Sequence, residues 1–236
     1  MVKLAVILCG GMGSRLKEYT NNLPKPMMPC SDIPFLWYVM DHLSRQNLTN
    51  FLLLTGYLSE KIKSFFGNGK KWSWNIEYSD GPVEWDTGRR LWEVKDNVPD
   101  NFLILYSDNF SLVNINNINL NDDDHSPLSL VLSKKENGNI EISDDNVIVN
   151  YDNTRSSINL NYVEIGYMLA NKNIYNYFKD PDCNFSDVIK EIVERNNISA
   201  YLQNDNYYSI SDRRRWLIAE KYLKPKKIIL IDRDGN

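Results

Sequence analysis

A short apolar run that ends in a glycine-rich turn constrains this chain more than any other feature. Residues 4–8 read Leu-Ala-Val-Ile-Leu, and residues 10–13 read Gly-Gly-Met-Gly. A continuous apolar run bounded by glycine predicts a strand buried on both faces, as in a parallel sheet. Residues 14–17, Ser-Arg-Leu-Lys, suit the first turn of a helix. We therefore predict a parallel strand, a glycine turn and a helical turn in immediate succession.

The same turn predicts a phosphate site. Glycines let the main chain approach a ligand closely, and outward N–H groups at the start of a helix bind phosphate. Arg15 adds a forked, permanently charged group, and Lys25, within the sequence Pro-Lys-Pro, adds a second cation. The spacing matches neither the dinucleotide fingerprint nor the Gly-Lys-Ser/Thr phosphate loop. On the glycines alone, a turn that serves only packing remains the alternative.

Composition narrows the class of protein. The chain has 236 residues, 42% of them hydrophobic and 25% charged, which predicts one large α/β domain with an ample core. Its net charge of −4 does not suggest a nucleic-acid groove. Cys9, Cys30 and Cys183 are few, odd in number and widely spaced, which predicts neither a disulfide framework nor a metal site and fits a reducing cytoplasm. No apolar run approaches the length of a membrane span, so we expect no membrane association.

The stretch from Gly10 to Leu16, followed by Pro24-Lys25-Pro26, resembles the signature of the sugar-1-phosphate nucleotidylyltransferases, G-G-x-G-[ST]-R-L and then P-K-P. The resemblance extends over residues 1–223 and looks most like the branch that includes the D-glycero-α-D-manno-heptose 1-phosphate guanylyltransferases. It implies an α/β fold of the nucleotide-diphospho-sugar transferase type, with a Rossmann-like, mostly parallel sheet flanked by helices. The implied reaction joins a nucleoside triphosphate, with GTP expected, to a heptose or hexose 1-phosphate and releases pyrophosphate.

The resemblance also assigns roles to residues. Arg15 would act as a catalytic residue on the departing pyrophosphate, and Lys25 would bridge the α-phosphate and the incoming phosphate. Sugar contacts would come from Glu164 and Gly166, in a strand predicted over residues 162–169. Nucleotide contacts would come from the end of the first strand, the turn and a matched Thr-Gly pair, namely Leu8, Gly10, Gly11, Gly13, Ser14, Thr87 and Gly88.

Magnesium is the cofactor that the resemblance implies. Asp108 follows a strand predicted over residues 102–106 and matches the family's metal-binding aspartate. A carboxylate at the carboxyl edge of such a sheet suits a hard cation that bridges phosphates. Where the family has a second aspartate, this chain has Ser209, which is a poorer ligand for Mg²⁺. Two arrangements remain open, in which Asp108 and the phosphates hold the ion or Asp212 also reaches it.

Departures from the family pattern leave more than one function open. Asp86 stands where glycine is usual, and Arg89-Arg90 replace Gly-Ala, so that these cations either narrow the pocket or meet phosphate charge. A Glu-Lys pair usual beyond residue 151 is missing, and Arg155 is the remaining candidate there. The alternatives are a nucleotide- or sugar-nucleotide-binding module that has lost catalysis, or an enzyme with another acceptor such as phosphocholine.

The last residues suggest a second unit. Residues 224–236 read as a linker and the first strand of a phosphatase-like domain, because Ile228-Ile229-Leu230-Ile231-Asp232-Arg233-Asp234 resembles the nucleophile strand of the haloacid-dehalogenase phosphatases. The expectation is a domain at 1–223 from a parent with a fused phosphatase, or a truncated relative of one. A homo-oligomer is a further expectation.

Overall fold

The computed structural model describes residues 2–120, 126–195 and 198–224. The predicted phosphatase-like strand lies outside these ranges, as does the acidic run at 122–124. The strands are β1 (Ala5–Leu8), β2 (Pro29–Cys30), β3 (Ile33–Pro34), β4 (Asn50–Thr55), β5 (Asn75–Asp80), β6 (Asn101–Tyr106), β7 (Asn109–Phe110), β8 (Leu128–Lys134), β9 (Ile140–Ile142), β10 (Val147–Tyr151), β11 (Tyr162–Asn171), β12 (Ile198–Leu202) and β13 (Tyr208–Ser209). The α-helices are α1 (Lys17–Thr20), α2 (Phe35–Ser44), α3 (Ser59–Phe66), α4 (Thr87–Trp92), α5 (Phe185–Arg195) and α6 (Arg213–Leu223).

One large sheet organises the molecule. Its strand order is β5-β4-β1-β6-β11-β8-β12-β10-β9, and β5, β4, β1 and β6 are parallel to one another. Strand β11 is antiparallel to β6 and to β8, β12 is parallel to β8, and β10 is antiparallel to both of its neighbours. The predicted parallel sheet is therefore present in the half that contains β1. The other half is mixed, because β11 enters the sheet in the opposite direction.

Helices cover the sheet on both faces. Alternate side chains of β1 point to opposite cores: Ala5 and Ile7 join one buried cluster, and Val6 and Leu8 join the other. Helices α2, α3 and α6 contribute to the first cluster, while α4 and α5 contribute to the second. Such burial on both faces explains why β1 reads as an uninterrupted apolar run. Because both faces of β1 are covered, a polar ligand can approach this strand at its carboxyl end.

The sequence predicts Ser59 and Ser186 as helix caps and a last helix over residues 216–223, and each of these helices begins one to three residues earlier in the structure. Ser59 is the first residue of α3 and not its cap, and α5 begins at Phe185, one residue before the predicted cap Ser186. Helix α6 begins at Arg213 because the side chain of Asp212 caps it. In the parts of the chain that the structure describes, no helix has both the length and the apolar character that crossing a bilayer requires.

Candidate active site

A cleft of about 470 Å³ opens at the carboxyl end of β1. Strands β4 and β6 flank β1, and the Oγ of Ser107, just after β6, donates a hydrogen bond of 2.6 Å to the carbonyl of Leu8. This places the glycine turn beside the segment that carries Asp108. The predicted residues that line the cleft are Leu8, Gly10, Gly11, Gly13, Ser14, Arg15, Lys25, Thr87 and Asp108.

The glycine turn needs glycine for two different reasons. Gly13 has a φ of +65°, a conformation that L side chains rarely adopt, and a Cβ there would lie 3.0 Å from the Cβ of Lys25. A Cβ at Gly11 would meet no atom within 4 Å, so this glycine leaves its main chain open to the cleft. The chain then continues as a 3₁₀ turn at Ser14–Leu16 and as α1. The predicted succession of strand, glycine turn and helical turn is confirmed.

Lys25 and Asp108 form an ion pair at the floor of the cleft. Residues 25 and 108 are brought together because the 3₁₀ turn at Lys25–Met27 faces the segment after β6. Both side chains are largely buried, whereas Arg15 is exposed. Phosphates entering the cleft would therefore meet the exposed guanidinium of Arg15 and the ammonium group of Lys25, which already pairs with a carboxylate.

A second cavity of about 370 Å³ adjoins the first and shares Arg15, Tyr106 and Asp108 with it. Its further basic lining residues are Lys135, Arg155 and Arg215. Burial lowers the pKa of Lys135, and the charges of Arg215 and Arg155 lower it further. This crowding of cations makes the second cavity suited to an anion. Sequence analysis singled out neither Lys135 nor Arg215, because no motif marks them.

Glu164 also lines the second cavity. Its side chain is 7% exposed, and its Oε1 lies 3.1 Å from Nη2 of Arg155. Burial raises the pKa of Glu164, and the charge of Arg155 opposes that shift. Its Oε2 is buried and has no hydrogen-bond partner among the described residues. Because Oε2 has almost no exposed surface, a ligand could reach it only after the surrounding side chains move.

Gly88 and Gly166, two predicted ligand contacts, are not among the residues that line the two cavities. A Cβ at Gly88 would lie 2.5 Å from the carbonyl oxygen of Cys183, to which the N–H of Gly88 donates. Gly166 has a φ of +78° where the pairing of β11 with β8 shifts register, and a Cβ there would lie 2.9 Å from Cδ2 of Tyr106. Both glycines permit close packing beside the site.

The donor set for a metal ion is small. Within residues 2–120, 126–195 and 198–224, no group of three acidic, histidine or cysteine side chains could hold an ion. Ser209 lies in β13, which pairs with β7 next to Asp108, and its Oγ accepts from the N–H of Ser211. Asp212 caps α6 through a 2.9 Å bond from the N–H of Arg215 and is not among the residues that line the two cavities, and its reach to the metal stays a prediction. One carboxylate fits a Mg²⁺ ion that takes its remaining ligands from phosphates and water.

The two arginines that replace Gly-Ala have separate surroundings. Arg89 forms ion pairs with Glu93 at 2.7 Å and Asp182 at 3.3 Å, and it is not part of the cleft lining. Arg90 lines the cleft, is 4% exposed and donates to main-chain carbonyls. The sequence marked both positions as departures, but only the fold separates the half-buried, ion-paired Arg89 from the buried Arg90.

Comparison with known proteins identifies the family. A family model described as "Nucleotidyl transferase" matches residues 4–216. The chain belongs to this family. The chain therefore has the fold of this family, and the predicted nucleotide-diphospho-sugar transferase architecture is confirmed.

Named relatives and one solved structure add detail. A D-glycero-alpha-D-manno-heptose 1-phosphate guanylyltransferase from Campylobacter jejuni is 26% identical over 87% of this chain and 93% of its own. A probable glucose-1-phosphate cytidylyltransferase from Bacillus subtilis is 33% identical, but the match covers 47% of this chain and 52% of that relative. HddC from Yersinia pseudotuberculosis, solved in complex with GMP-PN, has a TM-score of 0.77 at 17% identity over 94% of this chain and 100% of its own. The phosphatase-like tail gains no support from these matches.

Proposed function

We propose that this nucleotidyl transferase joins a nucleoside triphosphate to a sugar 1-phosphate, giving a nucleotide sugar and pyrophosphate. The observation that carries the proposal is the pair of adjoining cavities that share Arg15 and Asp108. One holds the glycine turn, and the other is lined by Lys135, Arg155, Arg215 and Glu164. Two substrates that react with each other must lie side by side, as adjoining cavities with shared lining residues allow.

The chemistry follows from the placement of charge. The triphosphate would lie against the main chain of the glycine turn, with Arg15 next to the departing pyrophosphate. Lys25 would lie beside the α-phosphate and the incoming phosphate, while Lys135, Arg155 and Arg215 would bind the phosphate of the acceptor. Phosphoryl chemistry of this kind depends on alignment and charge neutralisation more than on acid–base catalysis.

Asp108 is the residue that would hold Mg²⁺, with Ser209 beside it. When bound, the ion would neutralise phosphate charge. Glu164, which lines the acceptor cavity beside Arg155, would contact the acceptor. We also propose GTP and a heptose or hexose 1-phosphate as the substrates and the cytoplasm as the compartment.

Pyrophosphate release tests the proposal. The four nucleoside triphosphates are each combined with heptose 1-phosphate, glucose 1-phosphate and phosphocholine in the presence of Mg²⁺. We expect release with a sugar 1-phosphate, greatest with GTP and the heptose, and little with phosphocholine. Nucleotide binding without release in every combination would instead identify a binding module that has lost catalysis. In that case Ser209→Asp, which restores a second carboxylate, would be the variant expected to recover release.

Arg15→Ala tests the central residue. Loss of a charged group that stabilises the departing pyrophosphate should lower kcat on the order of 10² to 10³-fold. Arg45→Ala serves as the matched control, because Arg45 is 73% exposed and pairs with Asp41 within α2, outside both cavities. A kcat for Arg15→Ala near that of the wild-type protein would remove Arg15 from the mechanism.

A further inference from the structure

Arg90 is a buried cation at the rim of the nucleotide cleft. It is 4% exposed, lines the cleft and belongs to α4. In the described part of the chain, no carboxylate lies within 4.0 Å of its guanidinium nitrogens. Burial lowers the pKa of Arg90, and more distant negative charges, Asp86 and Glu84 among them, oppose the shift.

Its hydrogen bonds join three separate segments. Nη1 donates to the carbonyl of Thr55 at 2.7 Å, and Nη2 donates to the carbonyl of Pro82 at 2.7 Å. Nη2 also reaches the carbonyl of Gly10 at 3.4 Å. These carbonyls belong to the end of β4, the segment after β5 and the glycine turn after β1. One planar fork therefore connects the carboxyl ends of three neighbouring parallel strands.

Two glycines make room for this side chain. A Cβ at Gly10 would lie 2.3 Å from Cζ of Arg90, and a Cβ at Gly56 would lie 2.6 Å from its Nη2. Neither glycine has a positive φ, so their backbone conformations do not themselves require glycine. The requirement at positions 10 and 56 comes from the arginine. Gly10 and Gly56 thus leave the space that the guanidinium of Arg90 occupies.

We propose that Arg90 is a positioning residue for nucleotide binding, which holds the glycine turn at a fixed distance from the ends of β4 and β5 and adds a positive charge beneath the phosphates. This inference rests on the proposed function, because it assumes that the cleft takes a nucleotide. The acceptor cavity does not include Arg90. Its loss should therefore affect the nucleotide and leave the acceptor nearly unaffected.

Nucleotide affinity, measured by titration calorimetry with Mg²⁺ and GTP, tests the inference without requiring turnover. Arg90→Ala should raise Kd at least 10-fold, while the KM for the acceptor changes less than twofold. Arg90→Lys keeps a charge but cannot join three carbonyls, so we expect at least a fivefold weaker Kd. Added ethylguanidinium should restore affinity at least threefold in Arg90→Ala and have no effect on the wild-type protein. Arg45→Ala, which removes an exposed arginine elsewhere, should leave Kd unchanged.

Gly56→Ala supplies a second route that keeps the arginine and does not depend on whether Arg90→Ala folds. Its added methyl group would displace the guanidinium and should raise Kd at least fivefold. The same change should cost less than twofold in an Arg90→Ala background, since the obstructing group is gone. A Kd for Gly56→Ala within twofold of the wild-type value would overturn the inference by itself, whether or not Arg90→Ala folds. Additive effects in the double variant, or a Kd for Arg90→Ala within twofold of the wild-type value, would also overturn it. If the wild-type protein binds nucleotide but releases no pyrophosphate, the proposed reaction is refuted and the role of Arg90 in binding still stands. If the wild-type protein binds no nucleotide, both proposals are refuted.

Discussion

At the residue scale, Glu164 shows how burial changes the pKa of a single carboxylate. It is buried beside Arg155 and keeps one oxygen without a protein partner in the described ranges. Burial in such a place disfavours the ionised form, and one cation at 3.1 Å only partly offsets the cost. The burial of Glu164 therefore makes it a source of pH-dependent stability.

Glu164→Gln tests this dependence. Because the pKa of Glu164 is raised in the folded protein, the native state holds a proton that the unfolded chain has released at the same pH. Stability from this group should therefore rise as pH falls through the folded pKa, and the gain should be complete below the unfolded value. The effect is at most about 1.4 kcal/mol per pH unit.

The measurement is the free energy of unfolding in urea between pH 8 and pH 4, a range that extends below the ordinary pKa of a glutamate. Glutamine keeps the shape of the side chain but cannot ionise, so the wild-type protein should gain stability relative to Glu164→Gln as pH falls. Other carboxylates contribute equally to both proteins and cancel in the difference. A difference that stays constant over this range, or changes in the opposite direction, would contradict the assignment.

At the scale of elements, α6 borders the acceptor cavity and carries Arg215 in its first turn. Asp212 caps this helix by accepting from the N–H of Arg215, and the Oγ of Ser211 accepts from Nη1 of the same arginine. A cap satisfies one of the N–H groups that the first turn of a helix leaves free. The position of Arg215, which we propose as a ligand of the acceptor phosphate, thus depends on Asp212, the residue that the sequence suggested as a metal ligand.

Asp212→Ala should lower the free energy of unfolding by about 1 kcal/mol, the usual cost of losing a cap. For a chain of this size the melting temperature should fall by roughly 2–4 °C. Asp212→Asn is the matched variant, since asparagine caps equally well but would be a weaker metal ligand. If Asp212→Asn behaved like Asp212→Ala in stability, or if neither differed from the wild-type protein, the capping role would be refuted.

At the scale of the whole molecule, the two-sided core protects two of the cysteines. Cys9 and Cys30 are buried, and burial raises the pKa of each thiol to about 12. Cys183 is partly exposed, and burial raises its pKa to about 11. Since the thiolate is the reactive form, none of the three should react quickly in the native protein.

Titration with an aromatic disulfide reagent at pH 8 should label Cys183 first and the two buried thiols only as the protein unfolds. Urea should expose all three. Because the folded pKa values are raised, stability should be retained below the unfolded thiol pKa of about 8.5 and should fall as pH rises above it. Cys183→Ser should remove the fastest phase, and rapid labelling of Cys9 or Cys30 in the native state would contradict the packing.

The sequence determined the parts of this protein that depend on local pattern. The apolar run at residues 4–8, the glycine turn and the strands after it were predictable because burial on both faces and a free backbone require those residue types. The family signature placed Arg15, Lys25 and Asp108, which meet in one cleft. Helix starts were less accurate, since several polar residues near each start can cap.

Only the tertiary structure decided which residues share the site with that signature. The direction of β11, the second cavity with Lys135 and Arg215, and the buried course of Arg90 all depend on segments that are distant in sequence. No local pattern distinguishes Arg89, which is half-buried and ion-paired, from Arg90, which is buried against the glycine turn. The physical reason is that a local pattern reports which residues tend to be buried and which tend to form turns. A site is instead formed by long-range contacts, and only the folded sheet brings those segments together.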